Sequence, residues 1–164
     1  MIVTISLFWG LMAAQAVTFA PAPATVVSAK TIEATMKQSI ATNKLDTKMN
    51  QTPVKGGIFR VGVVHRIAPE PRALLHDDLT EVYQIIQGLG TLVTGGTPQG
   101  PTPVSDPPNL GPTPSYYVTQ VGGVSQKVKP KDIVIIPAGL PHRFSSLDGP
   151  IEHVIYRFEV ASSK

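Results

Sequence analysis

Hydrophobic and polar residues repeat with two different periods along this chain, and the change falls near Gly57. Before it, Ile32, Met36 and Ile40 recur at i, i+4 and i+8 after Ser28, a residue able to cap a helix. This predicts an amphipathic helix over 29–44 whose narrow apolar stripe packs on the outside of a larger body. From Gly57 onward the period is two. Phe59, Val61, Val63, His65 and Ile67 fall on one face of a strand, and Arg60 and Arg66 on the other. Further short strands are expected at 81–86, 91–94, 116–121, 124–128, 133–136, 142–146 and 151–160. In the last of these Val154, Tyr156 and Phe158 form the more apolar face, which sets His153 outward or at the rim. Residues 97–114 hold seven prolines and are expected to form an exposed, extended loop.

Many short strands at regular spacing indicate a sandwich or a barrel. Composition agrees: 16 prolines and 14 glycines among 164 residues oppose a mainly helical chain, because both interrupt helices. Charged residues make up only 15% and hydrophobic ones 42%, which opposes disorder. The absence of cysteine excludes disulfides and thiolate chemistry. The net charge of +3 comes from scattered basic residues, with no basic run and no interleaved aromatics, so no nucleic-acid partner is expected.

The first residues change the picture of location. Residues 2–14 are apolar and uncharged, and Ala14-Gln15-Ala16 follows the small-residue pattern of a signal-peptidase site. The stretch is short of the ~20 residues a spanning helix needs. The expectation is a cleaved signal peptide over 1–16 and a secreted or periplasmic mature protein, with an uncleaved anchor as the alternative. No membrane span is expected after signal removal. An N-terminal segment with one helix then occupies 17–56, and the barrel 57–161.

Two segments carry candidate chemistry. The first runs from His76 through Glu81 and Tyr83 to Gly88, with four residues between His76 and Glu81 and six between Glu81 and Gly88. The second runs from Lys131 through Pro137 and Gly139 to His142. Together, in this order, they resemble the two signature motifs of the cupin superfamily, and the resemblance covers about residues 57–160. It implies a mainly β chain folded as a single double-stranded β-helix, the jelly-roll cupin barrel. It also implies a metal held by His76, Glu81 and His142. Two positions depart from the pattern. Leu74 stands where the first histidine of the first motif belongs, and Lys131 where the second motif opens with glycine.

Two imidazoles and a carboxylate suit a divalent transition metal, namely Fe, Mn, Ni, Co, Cu or Zn, and leave coordination positions open. Tyr83, two residues beyond Glu81, faces the same interior and is the candidate catalytic acid or base. Asp78 competes with Glu81, because His76-x-Asp78 with His142 also resembles the triad of 2-oxoglutarate-dependent oxygenases. Arg157 would then be available for the co-substrate carboxylate. His65 is a further candidate ligand. The glycine pairs open no helix after a strand and are not phosphate cradles. Two functions follow: a metal-dependent oxygenase, isomerase or lyase acting on a small molecule, or a non-catalytic ligand-binding barrel whose metal site Leu74 has degraded. Many cupins pair their barrels, so a homodimer is compatible with either.

Overall fold

The computed structural model describes residues 24–105 and 110–160, and the signal segment expected over 1–16 lies outside them. One helix, α1 (Ala29–Ala41), precedes eleven strands among the described residues: β1 (Asp46–Val54), β2 (Gly57–Arg66), β3 (Ala73–His76), β4 (Leu79–Gln87), β5 (Gly90–Thr94), β6 (Thr97–Pro103), β7 (Ser115–Val121), β8 (Val124–Val128), β9 (Ile133–Ile136), β10 (His142–Leu147) and β11 (Ile151–Val160). They form two antiparallel sheets, in the orders β1-β2-β11-β4-β9 and β6-β7-β3-β10-β5-β8. Without the edge strand β1 and the β6–β7 pair, the sheets read β2-β11-β4-β9 and β3-β10-β5-β8. That is an eight-stranded jelly roll, the double-stranded β-helix of the cupin fold. No helix among the described residues is long and apolar enough to cross a membrane.

Helix α1 starts as expected, with Ser28 accepting from the Thr31 amide at 3.1 Å. It stops at Ala41 rather than at 44, because Asn43 turns left-handed at φ 48° and the Lys44 amide returns to the Ser39 carbonyl at 2.8 Å. Its buried positions are Met36 and Ser39, while Ile40 is exposed, so the packed stripe is rotated from the expected one. Ser39 donates to Thr47 of β1 at 2.8 Å, which fixes the helix on the outer side of the first sheet.

The phase of β2 is the reverse of the expectation. Val64 belongs to the barrel core with Tyr83, Ile85, Phe144 and Ile155. In the β2–β11 ladder Val64 pairs with His153, Gly62 with Ile155 and Arg60 with Arg157, so these residues share the inward side. Val61, Val63 and His65 point the other way, toward the side that α1 covers. Arg60 and Arg66, expected outside, are turned in. Arg60 is buried against Glu159 at 2.8 Å, and Arg66 pairs with Glu70 at 3.0 Å. The reversal arises because α1 covers the outer face and makes it as apolar as the inner one.

Part of the proline-rich stretch is also strand. Thr97–Pro103 pairs with β7 at the sheet edge and is exposed throughout, a position where missing N–H donors cost nothing. The glycines of the two motifs have distinct tasks. Gly88 has φ 87°, and a Cβ there would collide with the Pro150 carbonyl oxygen. Gly139 has φ 77°, and its amide bonds the His76 carbonyl at 2.7 Å, which ties the second motif's turn to the first motif's histidine. Lys131, which stands where the motif opens with glycine, is left-handed at φ 78°.

Candidate metal centre

The three candidate ligands come from three strands and both sheets. Glu81 enters from β4, His76 from the end of β3 and His142 from the start of β10. One donor atom of each lies within 4.8 Å of the others, and all three residues are buried. The Nε2 of His142 is 3.2 Å from one oxygen of Glu81, and the Nε2 of His76 is 4.0 Å from the other. The histidine rings lie 5.4 Å apart.

The partners of the far ring nitrogens decide what the near ones offer. Nδ1 of His76 meets the Ser115 hydroxyl at 2.8 Å. That hydroxyl donates to the Thr113 carbonyl at 3.3 Å and so accepts from the ring. Nδ1 of His142 donates to the Leu140 carbonyl at 3.0 Å. Both protons are therefore assigned to Nδ1, leaving Nε2 of a neutral ring as a lone pair turned toward Glu81. Buried Nε2 of His76 has no hydrogen-bond partner among the described residues. A bare Nε2 of His142 beside a carboxylate oxygen would set two lone pairs face to face, so a proton or a cation belongs between them. Two bare imidazole nitrogens and a carboxylate converging in this way fit a divalent transition metal.

Burial opposes ionisation of Glu81, but the Arg157 guanidinium, with His142 and His76, outweighs it and holds the carboxyl well below the usual range. The Nε of Arg157 donates to Glu81 at 2.7 Å, and its Nη2 to Asp46 of β1 at 2.7 Å. Burial works against the Arg157 charge, yet Glu81 and Asp46 stabilise it and push its pKa up. Burial brings His76 down to about 4 although Glu81 opposes the shift. For His142 burial is outweighed by the bond to and charge of Glu81, and its pKa rises. Without metal, that shift favours a proton on Nε2, where the contact with Glu81 calls for one.

Tyr83 lies beside Glu81 and donates to its second oxygen at 2.8 Å. Burial, then the Glu81 and Glu70 charges, raise the phenol well above its ordinary pKa, so it is a proton donor and not a base. The carboxylate has about four lone-pair positions, so Arg157 and Tyr83 leave room for a metal. Glu81, Tyr83, Arg157, Leu74 and His153 line one cavity of 380 Å³.

The other candidates lie elsewhere. Asp78 is not part of the cluster. His65 is on the outer face and bonds Glu152 at 2.9 Å. Leu74 lies directly opposite His142 in the β3–β10 pair, so the position of the missing histidine does face the centre. His153 corrects the expectation of an outward or rim residue. It is 1% exposed, and its ring lies 4.5 Å from that of Tyr83. The inward residues of β11 are Ile151, His153, Ile155, Arg157 and Glu159, and the larger aromatics face out. Arg157 was available from the sequence as a co-substrate clamp, but its actual place is on Glu81. Asp46 was not anticipated, since β1 has no clear alternation.

No protein-family model matches the chain, and no curated protein is similar in sequence. Similar folds occur among solved structures. The cupin domain of Schizosaccharomyces pombe Cnp3 is 11% identical, with 70% of this chain and 64% of that one covered and a TM-score of 0.44. A cupin protein from Bacteroides fragilis is 14% identical, with 72% and 89% covered and a TM-score of 0.43. The DMSP lyase DddQ from Ruegeria pomeroyi is 16% identical, with 66% and 41% covered and a TM-score of 0.40. This chain spans less than two thirds of the first and the last of these.

Proposed function

We propose that this cupin-fold chain binds one divalent transition metal through His76, Glu81 and His142 and acts on a small organic molecule in the adjoining cavity. The observation that carries the reading is the convergence of two buried Nε2 atoms on an ionised carboxylate, with both Nδ1 atoms held from behind. The metal would act as a Lewis acid for a ligand oxygen or as an oxygen-binding centre. The chain's own groups have separate tasks. Ser115 and the Leu140 carbonyl orient the imidazoles, Arg157 keeps Glu81 ionised, and Tyr83 holds a proton at the cavity wall. Leu74, Leu110 and Ile155 supply apolar contact for the bound molecule. The reaction belongs to the oxygenase, isomerase or lyase classes.

A second reading is a non-catalytic ligand-binding barrel. Leu74 favours it, because it faces the centre where a fourth ligand would stand. Export of the mature chain rests on the apolar stretch 2–14 and on Ala14-Gln15-Ala16, and amino-terminal sequencing of secreted protein tests it. The metal reading is tested by elemental analysis of the wild type, His76→Ala and His142→Ala. About one metal per chain is expected in the wild type, with loss from both folded variants. A wild type that stays metal-free after reconstitution would leave the ligand-binding barrel.

A further inference from the structure

Beside the candidate centre lies a larger cavity of 560 Å³, lined by His65, Arg66, Glu70, Arg72, Leu74 and Tyr117 among others. His76, Glu81, Tyr83 and His142 are not in its walls, although it shares Leu45, Arg66, Leu74 and Tyr117 with the 380 Å³ cavity beside the metal centre. Much of the wall is apolar, with Leu45, Ile67, Pro69 and Pro71 contributing. Two polar features of its wall bear on a ligand.

The first is Arg72. It donates to the hydroxyl of Thr102 at 3.2 Å and to the carbonyls of Gly100 and Tyr117 at 2.8 and 2.6 Å. All three acceptors are neutral, its buried Nε has no partner, and no ion pair compensates it among the described residues. Arg66 and Glu70 neutralise each other across 3.0 Å. Among the described residues Arg72 therefore has no carboxylate bonded to it, and its charge stands beside apolar walls. The second feature is the buried His65–Glu152 pair on the outer face of the sheet. Glu152 holds Nδ1, and Nε2 bonds no described residue, which gives this wall a hydrogen-bonding position. Such a buried pair rarely outperforms apolar packing. A ligand in the cavity gives it a use.

We propose that this cavity binds a small carboxylic acid with an apolar body, its carboxylate on the guanidinium of Arg72. With Nη2 spent on two carbonyls and Nε buried, Nη1 keeps one hydrogen for the carboxylate, and the guanidinium charge favours an anion over a neutral molecule of the same shape. Binding needs no metal.

The test is calorimetric titration of the chelator-treated chain with hexanoate and with hexanol, for the wild type, Arg72→Gln and Arg72→Lys. Saturable binding of one hexanoate per chain is expected, at least about tenfold tighter than hexanol. Arg72→Gln should abolish the preference for the acid, and Arg72→Lys, which keeps the charge, should retain part of it. No saturable hexanoate binding, equal affinity for hexanol, or an acid preference that survives in Arg72→Gln would overturn the proposal. Because metal is removed throughout, none of these results depends on the metal centre.

Discussion

The two ends of the barrel interior are built on opposite principles. Around Ile85, Leu92, Val128, Phe144 and Ile151 the sheets meet through apolar side chains. Around Glu81 they meet through His76, His142, Arg157 and Asp46, all bonded or in close contact. The same strands serve both ends: β4 contributes Ile85 to one and Glu81 to the other, and β11 contributes Ile151 and Arg157. The apolar end holds the sheets together by burial, which tolerates small changes in shape. The polar end is held by charges that depend on one another, so removing one leaves its partners buried and unpaired.

That contrast ranks the expected effects of substitutions. Arg157→Leu should cost about 3–5 kcal/mol in urea unfolding, because Glu81 and Asp46 both lose their cation. Ile85→Val at the apolar end should cost about 1 kcal/mol. Similar losses from the two would remove the distinction between the ends.

A pH series sharpens it. Burial and the Arg66 charge bring His153 down to about 3, and burial brings His76 down to about 4. The unfolded rings titrate near about 6.5. Below that pH the unfolded chain binds protons that these two folded rings refuse, so their contribution to metal-free stability falls as pH drops from about 6.5 toward 3. His153→Leu should reduce the loss between about pH 7 and 4.5 by on the order of 2 kcal/mol, read from urea midpoints. An unchanged slope would mean that His153 titrates normally.

Smaller effects follow. Tyr83→Phe removes one bond to an ionised carboxylate and should cost about 1–2 kcal/mol while leaving metal content unchanged. Lys131→Gly should instead raise stability by about 1 kcal/mol, because it relieves a left-handed backbone at φ 78°. A loss there would show that the lysine side chain contributes more than its backbone strain costs.

The same contrast explains what was legible in the sequence. Period two indicated the short strands of a sandwich or barrel and the inward phase of Tyr83, whereas the jelly roll and the meeting of His76, Glu81 and His142 were legible through the resemblance of the two motifs to those of cupins. The phase of β2 and of the latter half of β11 could not be read, because hydrophobicity identifies the interior only where the interior is apolar. In β11 the inward side carries His153, Arg157 and Glu159, while Tyr156 and Phe158 face out. In β2, α1 covers Val61 and Val63 from outside, so both faces look like core. The Arg157–Asp46 bond joins positions far apart in the chain, and the edge strand β1 has no period to announce it. One local signal was present for the helix end, since Asn43 adopts the left-handed conformation readily.

The most direct measurement is a Co(II) titration of the metal-free chain near pH 6, with visible absorbance and proton release followed together. The raised pKa of His142 favours a proton between its Nε2 and Glu81 in the metal-free state, and a metal bound there must displace it. Saturation at one Co(II) per chain with release of about one proton is expected, and both should vanish in His142→Ala. Absence of saturable binding, or binding that releases no proton and survives in His142→Ala, would contradict a metal centre at His76, Glu81 and His142.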